Sequence, residues 1–366
     1  MERLKKTLRE LVELHGAPGF EDMVRQYIEC ELKKWNVDHF VTDNIGNLYV
    51  EIKGTDPDSP IVHLDAHIDE PCFMVKYIDD RGYVYVTPLG LHAESVMVAQ
   101  KVVIHTLDGP VYGAFGVKSF HLSSDEERRR GLAMEDIWID VGAGSREQAE
   151  KMGIKQGMPV TYDGVLKDLA NGCVMGKALD NRVGCAVLME TIKLLKENPP
   201  HTTILVTFSV QEELLLRGSH TIFKSFSKYF EELPTISLTY DVCAPGDFPG
   251  IPKHHAPIEL HKGPGIKVYE KSRFSHYQHV VPRKLVETLT NVAMEHGIPY
   301  QLDFMTGCTN AGIFALQDTG VLAGGISLPC RYTHTPVEIV SLQDAENAVK
   351  LTLAFINQCS NYFKKI

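Results

Sequence analysis

Two hydrophobic periodicities succeed one another along the chain. Leu4, Leu8, Leu11 and Leu14 recur at helical spacing, and the run Gly16-Ala17-Pro18-Gly19 ends the pattern. Met23, Val24, Tyr27, Ile28 and Leu32 mark one face of a second helix. Two alternating segments, His39 to Thr42 and Asn47 to Ile52, then predict a hairpin turning at Asn44-Ile45-Gly46. The largely apolar run from Pro60 to Ala66 predicts a buried strand that delivers His67 and Asp69. From Pro71 to Val165 the texture changes to short strands punctuated by glycine, among them Tyr83 to Val86, Val102 to Ile104, Val111 to Phe115 and Ile137 to Val141. Ser145 with Gln148 has the spacing of a capping box. Beyond this stretch, strands and helices alternate again. Helices are expected over Val183 to Leu195, Ile222 to Phe230 and Leu285 to His296, with strands over Thr203 to Val210, Ile236 to Asp241 and Val321 to Leu328. Ser341, with Asp344 three residues on, opens a final amphipathic helix. The expected fold is therefore an α/β sandwich with a mixed sheet, residues 1–70 and 166–366, interrupted by a β-rich insert, residues 71–165.

The 366 residues, 44% hydrophobic and 23% charged, are enough for a sizeable core. A formal charge of −10 argues against nucleic acid or an anionic membrane as the main partner. The eight cysteines include no C-x-x-C pair, which suits reduced thiols better than a zinc ribbon or a disulfide framework. No apolar stretch approaches the roughly 20 residues of a membrane span. The N-terminus lacks an apolar signal core, so a soluble, cytoplasmic protein is expected.

That picture is sharpened by where the metal-binding side chains fall. His67, Asp180, Glu212, Glu213, Asp241 and His334 sit at or just beyond the ends of apolar runs. Each has a plain alternative: a salt-bridged strand-end histidine, an N-cap aspartate, a solvated acid pair, a structural histidine. Together they make two imidazoles, three carboxylates and one spare acid, the inventory of a two-metal hydrolase. Asp180 is the candidate bridging ligand. One arrangement pairs His67 with Asp241 and Glu213 with His334, although spacing alone leaves other pairings open. Asp69, two residues after His67, can hold the imidazole's second nitrogen. Adjacent acids diverge in direction, so Glu213 is assigned to a metal and Glu212 to general base. Zinc or cobalt suits such a donor set.

These motifs resemble the tetrahedral (TET) aminopeptidase family, which includes glutamyl aminopeptidases and proteins labelled endoglucanase. The resemblance rests on Ala66-His67-Ile68-Asp69-Glu70, Gly176-Lys177-Ala178-Leu179-Asp180, Gln211-Glu212-Glu213, Asp241-Val242, Arg331-Tyr332-Thr333-His334-Thr335-Pro336-Val337-Glu338 and Ile139-Asp140-Val141-Gly142, in the family's order. It implies a zinc-peptidase-like catalytic domain and a PDZ-like or barrel-shaped insert for dimerisation. It also implies a homododecamer enclosing the active sites, short peptides as substrates, and a cis peptide after the bridging aspartate. The chain departs from the family's pattern at Cys72, Asn181, Leu215 and Asn310, positions that could border the substrate pocket. Two other readings compete: a glycosidase using Glu212 and Glu213, which leaves the histidines unexplained, and a metal-bound peptide-binding scaffold without turnover.

Overall fold

The computed structural model describes residues 1–365 except 131, 231, 232, 273–275 and 319, and for 127 and 128 the backbone alone. Four of the apolar runs form the parallel centre of a mixed sheet, in the spatial order Ile204–Ser209, Val62–His67, Ile236–Cys243, Leu322–Arg331. Every residue of the first three strands is buried. Parallel strands covered on both faces lose the simple alternation of a half-exposed strand. On one face Leu64, Ala66, Val206 and Leu238 join a core with helices Glu2–Glu13, Asp22–Lys34, Leu179–Glu197, Arg283–Glu295 and Leu342–Tyr362. On the other, Tyr49 and Leu205 pack with Ile222, Phe223 and Phe226 of helix Ser219–Tyr229 and with Phe314. The expected hairpin, Phe40–Thr42 with Leu48–Ile52, extends the sheet antiparallel beside Ile204–Ser209.

Among the strands of this sheet that the sequence pattern did not predict are Gly265–Lys271, Gln278–Val280 and Gln301–Thr306. Lys267 lies buried in the first, 3.0 Å from Glu270 and 3.8 Å from Asp303 of the neighbouring strand. Charges that neutralise one another inside the fold look, in sequence, like solvent-facing positions.

After His67 the chain leaves this sheet. Strands Cys72–Ile78, Val84–Leu89, Trp138–Asp140, Gly109–Gly116, Lys101–Thr106 and Pro159–Tyr162 close in that order into an antiparallel barrel. The barrel has its own core around Phe73, Val102, Phe115, Ile139 and Val160. Ser145 caps helix Arg146–Lys151 by accepting from the Gln148 amide, whereas the Gln148 side chain accepts from Gly144 rather than Ser145. Among the described residues, no helix is long and apolar enough to cross a membrane.

Candidate metal centre

Parallel strands end on one edge of their sheet, and crossovers leave a crevice there. His67 is the last residue of its strand and Asp241 lies near the end of Ile236–Cys243. Glu212 and Glu213 follow Ser209, and His334 follows Arg331. Asp180 comes from the first turn of Leu179–Glu197. There its φ and ψ of −76° and 103° are not helical, and the Asp180–Asn181 peptide is cis. No side-chain cap forms at this helix start. The carboxylate is directed at the histidines.

The six groups converge. Asp180 Oδ1 lies 3.2 Å from His67 Nε2, and Asp180 Oδ2 lies 3.4 Å from His334 Nε2. Around His67 Nε2 stand Asp241 Oδ1 at 3.7 Å and Glu212 Oε2 at 3.9 Å. Around His334 Nε2 stands Glu213 Oε1 at 3.7 Å. The two oxygens of one aspartate thus face two different imidazoles, each beside a second carboxylate. Donor atoms of His67, Asp180 and Glu213 all lie within 4.8 Å of one another.

Around the donors is a frame of hydrogen bonds. His334 Nδ1 lies 2.8 Å from the Leu91 carbonyl, an acceptor, so Nδ1 carries a proton and the neutral ring would offer the lone pair of Nε2. His67 Nδ1 faces Asp69 Oδ1 at 3.4 Å. Asp69 has a second task that spacing did not suggest. Its two oxygens accept from the Glu212 and Glu213 amides, each at 3.0 Å, and so fix the acid pair. Glu338 was quoted only as part of a motif, yet its carboxylate accepts from the Asp180 amide at 2.9 Å and the His334 amide at 2.7 Å. Asn181 donates through Nδ2 to the Tyr240 carbonyl, 2.7 Å away and one residue before Asp241. Asn310 lies behind the site, donating to Asp65 and Ser209, and Cys72 is buried at the start of a barrel strand.

Electrostatics show what this arrangement lacks. Burial raises Glu212 well above the usual carboxylate range, and Asp241 and Glu213 add to the effect. Burial, reinforced by Asp180, pushes Glu213 up to about 8. Burial acts against Asp180 as well, but the hydrogen-bonding His334 and His67 outweigh it and hold the group below its ordinary value. Both histidines are pulled upward by the acids despite their burial. Among the described residues, no lysine or arginine lies in ion-pair range of Asp180, Glu212, Glu213 or Asp241. Glu70 is the contrast: equally buried, it is paired with Lys177 at 2.8 Å and Arg182 at 3.3 Å. Buried carboxylates need a cation. Imidazole nitrogens and carboxylate oxygens meeting in a crowded acidic pocket fit a pair of divalent ions.

The cluster opens onto a cavity of about 1140 Å³. Leu215, Cys243 and Met305 supply apolar wall, and Gly90 to Ala93 approach from the barrel. Of the positions that depart from the family's pattern, Leu215 lines this cavity, three-quarters exposed and with φ of 64°.

The chain is similar to known proteins over nearly its whole length. Residues 46–351 match the model of the M42 glutamyl aminopeptidase family. The lysyl aminopeptidase of Pyrococcus furiosus is 29% identical over 357 residues, 96% of this chain and 96% of the relative. A TET aminopeptidase structure from Thaumarchaeota archaeon SCGC AB-539-E09 superposes with a TM-score of 0.90 at 33% identity, covering 98% of this chain and 96% of the other. The TET1 peptidase of Pyrococcus horikoshii, which can assemble into a tetrahedron or a large octahedral shell, matches with a TM-score of 0.82 at 27% identity, covering 96% and 99%.

Proposed function

We propose that this chain, which belongs to the M42 glutamyl aminopeptidase family and is therefore a peptide-bond hydrolase, uses two divalent ions to remove N-terminal residues from short peptides. The observation that carries the reading is the position of Asp180, each of whose oxygens faces a different histidine. In this arrangement His67 and Asp241 would hold one ion, Glu213 and His334 would hold the other, and Asp180 would serve both. When bound, such a pair supplies Lewis acidity, lowering the pKa of water and polarising a carbonyl oxygen.

The chain's own groups do the rest. Glu212, fixed through its amide by Asp69, takes a proton from the attacking water and returns it to the leaving amine. The cavity beside the donors is large enough for the end of a peptide. Zinc or cobalt is the expected metal. Residues 1–70 and 166–366 form the catalytic unit in this reading. Residues 71–165 form a dimerisation unit, dimers assemble into a dodecamer, and the enzyme trims peptides in the cytoplasm.

The decisive experiment strips the protein with a chelator, refills it with zinc, cobalt or manganese, and assays a panel of aminoacyl anilides. Activity should vanish on stripping and return on refilling. Glu212→Gln should keep its metal content and its mass by light scattering while kcat falls about 10²- to 10⁴-fold. Full activity in the chelated protein would overturn the metal reading, and unchanged turnover in Glu212→Gln would overturn the base.

A further inference from the structure

One flank of the centre is not built by the sandwich at all. Gly90 and Leu91 follow the barrel strand Val84–Leu89. Gly90 has φ of +89°, a conformation that side chains other than glycine's rarely adopt. A Cβ built on it would stand 3.1 Å from Glu213 Oε2 and 3.4 Å from Glu213 Cβ. The next residue supplies the carbonyl that accepts from His334 Nδ1 at 2.8 Å. Two consecutive barrel residues thus touch Glu213 and His334, the two ligands assigned to a single ion. Around the other ion, Asp69, which also holds the Glu213 amide, faces His67, and Asn181 ties the Tyr240 carbonyl beside Asp241.

We propose that the barrel segment Gly90–Leu91 is a positioning element for one ion only, so that barrel placement controls occupancy of the Glu213–His334 site and leaves the His67–Asp241 site untouched. This rests on the two-ion reading above. The Leu91 carbonyl selects the His334 tautomer that leaves Nε2 free, and Gly90 packs so closely that Glu213 keeps its outer oxygen beside the backbone. Hydrogen-bonding partners behind metal ligands set affinity as well as orientation. Any contact that shifts the barrel relative to the sheet would therefore change the loading of this ion.

The test is a stepwise zinc titration of the chelator-stripped protein by calorimetry, with bound zinc counted by mass spectrometry. Wild type should take up two equivalents. Gly90→Ala should weaken one of them roughly 10- to 100-fold and leave the other within about threefold, matching the site lost in His334→Ala. A wild-type measurement covers the case in which Gly90→Ala does not fold. Under hydrogen exchange, one of the two equivalents of zinc should protect amides near residues 90–93 and the other should not. Two undisturbed sites in folded Gly90→Ala, or identical protection by both equivalents, would overturn the proposal while leaving the two-ion reading intact. Failure of wild type to bind a second equivalent would instead overturn that reading.

Discussion

A carboxylate whose two oxygens both accept from main-chain amides is committed to holding backbone, and Glu338 is such a group. It joins the amides of Asp180 and His334, the proposed shared ligand and one proposed terminal ligand. In Glu338→Gln, either orientation of the amide turns an NH2 group towards one of those N–H donors. The ligands lose their relative placement, and zinc affinity should fall about 10- to 100-fold. A zinc titration checks this, and wild-type affinity would contradict it. The proposed ligands could be singled out from the residues because each lies at or just beyond the end of an apolar run and together they make one donor set, although each alone has a structural alternative. Glu338 was not readable as a positioning group. Its partners are backbone amides, and an amide leaves no signature in sequence. The same holds for the Leu91 carbonyl behind His334. Asp69 was half legible, since spacing puts it near His67 but says nothing of the two amides it also holds.

Elements are pinned around the site by a second buried carboxylate with the opposite surroundings. Glu70, just past the strand that ends in His67, accepts from the Gly16 amide, from Lys177 and from Arg182. Lys177 also donates to the Leu14 carbonyl at the end of the first helix. One group therefore ties the first helix, the exit of a central strand and the start of the central helix. Burial alone would raise Glu70, but Lys177 and Arg182 dominate and hold it at about 2. Glu70→Gln would leave two buried cations without their counter-charge, a change that destabilises by about 3–5 kcal/mol. Denaturant unfolding should show a correspondingly lower midpoint at neutral pH, and an unmoved midpoint would refute the pairing argument. Element-scale legibility follows the same physics. The four central strands stand out because burial on both faces makes them largely apolar, with His63 and Asp65 among the buried polar exceptions. Gly265–Lys271 and Gln301–Thr306 were hidden because Lys267, Glu270 and Asp303 neutralise one another inside them.

Across the whole molecule, stability should depend on pH through histidines that are buried neutral. Beneath the parallel sheet, the Thr207 hydroxyl donates to Asp65, so it must accept from His63 Nε2, and His63 Nδ1 in turn accepts from Ser237 at 2.9 Å. The ring is satisfied as a neutral group, edge-on to Phe223, Phe226 and Phe314. Burial drives its pKa down to about 3. Burial, aided by Lys177, drives His15 to about 3 as well, where that ring bonds Thr161 and so joins sandwich to barrel. A depressed folded-state pKa gives stability that is present above the unfolded value near 6.5. That stability is lost as pH falls towards the folded value, because the unfolded chain takes up the proton first. For the fully buried His63 the loss between pH 7 and pH 5 is about 2 kcal/mol. His63→Gln removes this titration, so its unfolding free energy should fall less over that interval than wild type's, by about the same amount. Measuring both proteins in chelator keeps metal release out of the difference, since protonation of the ligands contributes equally to each. Equal losses in the two proteins would mean that His63 takes up no proton on unfolding, and that acid lability arises at the carboxylate cluster instead.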